Sequence, residues 1–180
     1  MDSPNKALIF AYLTATACTI YIVENLLMRM LPIPFLRLGL SNIVILYLVM
    51  NTQYVNAIVI NVLKSVVGGL FTFSLLTPLT ILSICGGIAA TVLMVLLIRS
   101  RIGFSIIGIS IAGAVIHNVV QLVLVRYFVI PNGSVYKLLP LMVAMGLGTG
   151  MIIAMITLKL DEQVGQKVLR SGSGYEKDNK

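Results

Sequence analysis

Glu24, Lys64 and His117 are ionisable side chains set inside long apolar stretches of this 180-residue chain. A charge surrounded by hydrocarbon is expensive: an unpaired lysine at mid-membrane costs about 2.5–3.5 kcal/mol on insertion scales. Residues of this kind need a partner, a ligand or an ion. Glu24 is the one acid inside an apolar run, ALIFAYLTATACTIYIVENLLMR at 7–29. Asn61, Lys64, Ser65 and Gly68 recur at spacings of three and four, which puts them on one helix face. His117, Asn118 and Gln121 share a second face, and Arg126 follows further along the same run. Three kinds of chemistry suit these residues. Glu24 and Lys64 can form a buried ion pair, the amides and His117 can knit helices together, or the whole set can line a polar pocket.

Enzymatic chemistry finds little support. The chain has no HExxH, GxSxG or P-loop pattern. It has no aspartate pair of the kind that binds a magnesium diphosphate; Asp161 and Glu162 lie at the boundary of a polar tail. A lone histidine and one acid can move a proton, but nothing else points to a reaction. Cys18 and Cys85 sit in apolar runs without CxxC or Cys/His ligand spacing, which suits small packing residues and neither zinc nor a disulfide framework. The expectation is a non-enzyme with no metal site, no catalytic residues and no intrinsic cofactor.

The elements that must hold these residues follow from composition. Hydrophobic residues make up 58% of the chain and charged residues 11%, against roughly 25% charged in soluble domains. Mean hydropathy is +1.02. So little charge cannot cover a globular surface, so an all-α integral membrane protein is expected. The net charge of +7 is scattered over segment ends and the tail. No basic face carries interleaved aromatics, so nucleic acid is not an expected partner.

Six helices are expected, at about 7–29, 37–50, 54–76, 78–98, 103–129 and 136–158. Pro78 suits the first turn of the fourth. Residues 1–158 then form one transmembrane domain, and 159–180 a polar, flexible cytoplasmic tail. The first apolar stretch is too long for a signal-peptide core and reads as a retained helix. Six spans put both termini on one side. That side carries Lys6, Arg99, Arg101 and five basic tail residues; the other carries Arg29, Arg37, Arg126 and Lys137. The bias predicts a multi-pass cell-membrane protein with cytoplasmic termini.

With this topology Glu24, Asn25, Arg37, Asn42, His117, Asn118, Gln121 and Arg126 lie in the outer half, and Lys64 near the middle. They converge below LPIPFL at 31–36, where two prolines prevent continuous helix. Irregular backbone at membrane depth is tolerated where it lines a cavity or is buried in protein. The pattern predicts an outward-opening polar cavity with Glu24, Arg37, Asn42, Lys64, His117, Asn118, Gln121 and Arg126 as ligand contacts. The positive charge of Arg37, Arg126 and Lys137 favours a small ligand bearing phosphate or carboxylate. Arg37→Ala is expected to weaken binding without loss of the folded protein. Ala7, Ala11 and Ala15 recur every four residues on the inner half of helix 1, and Gly146, Gly150 and Ala154 give helix 6 a similar stripe. Such stripes serve either close packing within the bundle or the docking of another membrane subunit.

Glu24, the Pro-containing LPIPFL and the run Arg37-Leu38-Gly39-Leu40-Ser41-Asn42 resemble the heptaprenyl diphosphate synthase component I family, also labelled Gx transporter, over most of residues 7–158. That family is in turn similar to the substrate-binding S components of energy-coupling factor (ECF) transporters. The resemblance implies a six-helix bundle with an outward pocket under the first loop. It implies a transmembrane coupling subunit docked at Ala7, Ala11 and Ala15, and two ATPase subunits supplying energy, with membrane lipid around the bundle. The ligand would be vitamin-, isoprenoid- or quinone-like. Two other classes stay open: a membrane subunit of a flavin- or quinone-linked electron-transfer system, with that organic group as cofactor, and an accessory subunit in prenyl diphosphate or menaquinone metabolism.

Overall fold

In the computed structural model the chain is all-α, and the structure describes residues 3–28, 30, 39–100, 102–129 and 133–175. Six α-helices are described: α1 (Ser3–Met28), α2 (Asn42–Met50), α3 (Tyr54–Phe71), α4 (Pro78–Arg99), α5 (Ile106–Phe128) and α6 (Leu139–Tyr175). A 3-10 segment, Gly133–Leu138, leads into α6. Five segments are long and apolar enough to cross a membrane: Ala7–Met28, Tyr54–Phe71, Pro78–Arg99, Ile106–Phe128 and Val135–Gln163. The protein is an all-α, multi-pass membrane protein.

The sixth helix is different. α2 has nine residues, a length of ~13 Å against the roughly 30 Å of a hydrocarbon core. It is nonetheless the most enclosed element: every residue from Asn42 to Val49 except Tyr47 is buried. It packs on α1, α3, α4 and α6, and Ile43, Val44, Ile45, Leu46, Leu48 and Val49 belong to the main apolar core. A short helix wrapped on all sides ends inside the bundle, so its first turn delivers polar groups to the interior. Ser41 and Asn42 stand at that turn.

The helices follow the expected sequence with shifted ends. α3 stops at Phe71 and not near 76: Thr72 caps it, and Phe73 takes φ +52, outside helical space. α4 begins at Pro78 with Thr77 extended before it, so the missing proline N–H falls where a helix has no partner for it. α5 begins at Ile106, where the Ser105 hydroxyl accepts from the Gly108 N–H. α6 continues past Asp161 to Tyr175, so the helix does not end where the apolar run ends.

Close approach fixes the order of packing. α5 pairs with both α4 and α6, and α3 with α1 and α4. A Cβ at Gly150 would stand 2.6 Å from Ile111 Cα, and one at Gly146 2.9 Å from Val115 Cα. The α6 stripe of Gly146, Gly150 and buried Ala154 is therefore filled by α5, which makes it internal packing and not a docking face. The Ser110 hydroxyl donates to the Gly150 carbonyl at 2.7 Å and locks that contact.

Candidate functional site

The first turn of α2 collects a cluster of buried polar groups. Lys64, 2% exposed on α3, donates from Nζ to Asn42 Oδ1 at 2.7 Å and to Ser41 Oγ at 3.0 Å. Glu24, 4% exposed on α1, accepts the Gly39 N–H at Oε1. Gly39 has φ +72, a conformation that favours glycine, and this turn aims its N–H at the carboxylate. Tyr21, Glu24, Gly39, Ser41, Asn42, Lys64, Ser83 and His117 line one small cavity of about 10 Å³. That is at the lower limit of the space that admits a single water. Glu24 and Lys64 thus line one cavity, Glu24 bonded to Gly39 and Lys64 to Ser41 and Asn42.

The neighbouring helices are shaped to let these groups in. A Cβ at Gly68 would overlap the Tyr21 ring, and one at Gly87 would overlap the Asn61 amide. At Gly86 it would press on His117 Nδ1 and Gln121 Cγ, each 3.2 Å away. Three glycines thus make room for four polar or aromatic side chains: Tyr21, Asn61, His117 and Gln121. The face predicted on helix 3 is real: Asn61, Lys64, Ser65 and Gly68 are all buried. Ser65 Oγ lies 3.2 Å from Ser83 Oγ, and Asn61 Nδ2 donates to the Ile84 carbonyl at 3.4 Å, so this face also ties α3 to α4.

The helix 5 set divides. His117 and Gln121 stay together, with Gln121 Nε2 donating to His117 Nε2 at 3.0 Å. His117 reaches the cavity. Asn118, one position round the helix, turns to α6 and donates to the Met142 carbonyl at 2.9 Å. Arg126 is held elsewhere: Nη1 donates to Tyr136 Oη at 2.9 Å, and the guanidinium stands 4.9 Å from the Tyr136 ring centroid and 5.8 Å from that of Tyr127. The structure therefore brings Glu24, Asn42, Lys64 and His117 to one cavity with Gln121 beside it, and points Asn118 and Arg126 to other partners. Arg37 and the LPIPFL segment lie outside the described residues.

Sequence reasoning missed Tyr21, Gly39, Ser41 and Ser83. Tyr21 precedes Glu24 by three residues, so a helical wheel places it on the same face. Ser41 adjoins Asn42 at the helix start. Ser83 carries no sequence signal; only the packing of α4 on α3 brings it in. Ala7, Ala11 and Ala15 are all exposed on α1, with Leu8 and Tyr12 exposed between them. The bundle does not use that stripe for its own packing.

A membrane bundle with a buried polar chamber at the start of a half-length helix is the class this geometry defines. Within that class, the chain belongs to the heptaprenyl diphosphate synthase component I family, whose sequence profile matches residues 13–160. No curated protein and no solved structure matches it. The family description makes it a component of a larger system. No group of three or more His, Cys, Asp or Glu residues placed to hold a metal ion occurs among the described residues.

Proposed function

We propose that this chain is the membrane-embedded substrate-binding component of an uptake system of the ECF type, taking a small, anionic vitamin-, isoprenoid- or quinone-like molecule. The observation that carries the reading is the chamber at the start of α2, where Glu24, Ser41, Asn42 and Lys64 converge in an otherwise apolar core. Polar groups are held at membrane depth here by a helix that stops halfway, an arrangement suited to a binding site. The unused alanine stripe on α1 supports the second half of the reading: a transmembrane coupling subunit docks there, and two ATPase subunits supply the energy. ATP hydrolysis then belongs to the partners, and this chain carries no catalysis. Both termini lie in the cytoplasm of a cell-membrane protein in this reading. In this reading Arg126 and Lys137, with Arg37 from outside the described residues, supply positive charge for the anionic part of the ligand.

The test is purification of the tagged protein in mild detergent, with mass spectrometry of co-isolated proteins and small molecules. Recovery of a coupling subunit with two ATPases, and of one bound molecule, is the expected result. Recovery of a flavoprotein or dehydrogenase without ATPases would sink it. The family description favours a second reading, an accessory subunit in prenyl diphosphate synthesis. A soluble prenyl synthase in the same isolation, active only with this chain present, would decide for it.

A further inference from the structure

Glu24 has a carboxylate oxygen with nothing to bind. Oε1 takes the Gly39 N–H, but Oε2 is buried with no hydrogen-bond partner among the described residues. An unsatisfied buried acceptor is costly, and the group that relieves it must be a donor. The Glu24 side chain lines the cavity of about 10 Å³, which admits one water-sized group. Lys64 lines the same cavity. The one formal positive charge of Lys64 offsets the one formal negative charge of Glu24. A phosphate or carboxylate placed there would add an uncompensated negative charge beside Glu24, and it is several heavy atoms too large. Tyr21 and His117 are the other titratable side chains on this cavity. A second buried acceptor, Gln121 Oε1, also lacks a partner among the described residues, next to His117.

We propose that Glu24 marks the subsite for a neutral hydrogen-bond donor on the ligand, a hydroxyl or an N–H, and that the anionic part of the ligand stays outside this cavity. The inference rests on the reading of this chamber as a ligand site. It gives that ligand two ends of different chemistry: a single small donor at depth and an acid toward the rim.

Three probes share one acid and differ at the opposite ring position: 4-hydroxybenzoate carries a donor, 4-formylbenzoate only an acceptor, and terephthalate a second anion. Calorimetric titration of the full chain in detergent is expected to show 4-hydroxybenzoate binding at least about tenfold tighter than either relative. Glu24→Gln is expected to reverse the order of the first two, because its amide N–H₂ takes the place of Oε2 and demands an acceptor. The ranking on the unaltered chain needs no variant, so it stands if the variant fails to fold. A tighter 4-formylbenzoate or terephthalate, or 4-hydroxybenzoate binding that Glu24→Gln leaves untouched, would overturn the donor subsite and leave the ligand-site reading intact. Binding of none of the three would overturn the donor subsite as well, whereas the ligand-site reading falls only if no bound molecule is co-isolated with the chain.

Discussion

Lys64 shows how a single residue can be legible in type and hidden in partnership. Its charge, its depth and its helix face were all readable from spacing, because a period of 3.6 fixes which residues look the same way. Its partners were not: Ser41 and Asn42 belong to a helix whose start depends on a turn at Gly39. The same limit divided the helix 5 set. His117 and Asn118 are adjacent in sequence, yet one faces the cavity and the other α6. Depth along a helix is written in the sequence, whereas the identity of the neighbour at a given angle is set by the whole packing. The shared cavity makes a prediction at this scale. Lys64→Met removes the positive charge opposite Glu24 and should cost about 3 kcal/mol of stability, the penalty for stranding a buried charge. Combining it with Glu24→Gln should recover part of that loss. Thermal unfolding of the two single variants and the double variant checks this, and strictly additive losses would show that the two groups do not act together.

The helices themselves were readable because each long apolar run must satisfy its backbone internally in lipid. Their ends were harder, since Thr72, Ser105 and the 3-10 segment before α6 stop or start helices through local turn geometry inside otherwise apolar sequence. The small-residue stripes show a further limit. Helix 1 and helix 6 carry similar patterns, yet one is exposed and the other is filled by α5. Two glycines on α6 turn this into a paired prediction. At Gly150 a Cβ would meet the Ile111 backbone, which cannot rotate away. Gly150→Ala should therefore push α5 and α6 apart, weaken the Ser110 bond and cost about 1–3 kcal/mol. At Gly148 a Cβ would meet nothing within 4 Å. Gly148→Ala should leave packing unchanged and add up to about 1 kcal/mol through helix propensity. Melting temperatures in one detergent check both, and equal effects would place the α5–α6 contact elsewhere.

At the scale of the whole molecule the bundle has one end with the α1 start, Met50, Tyr54, Arg99 and Ile106, since successive helices alternate in direction. The Arg99 guanidinium over the Tyr54 ring, 5.1 Å to its centroid, holds α4 to α3 at that end. In the proposed topology the positive-inside rule puts that end in the cytoplasm. A reporter that works only in the cytoplasm should be active when fused after Ser100 or Lys180 and silent after Pro131. The opposite pattern would invert the protein and turn the chamber inward. In the proposed topology the inner half of α1 lies at the cytoplasmic end, with Ala7, Ala11 and Ala15 exposed on its surface. Exposed alanines contribute little to internal packing and leave room for a second helix to come close, as the proposed docking requires. Ala11→Leu should leave the melting temperature and ligand binding of the isolated chain unchanged, because the side chain points outward. It should reduce recovery of the coupling subunit about tenfold, equivalent to ~1.4 kcal/mol of lost association. Full recovery with Ala11→Leu would place the docking face on another helix, whereas a fall in melting temperature would return the stripe to the bundle's own packing.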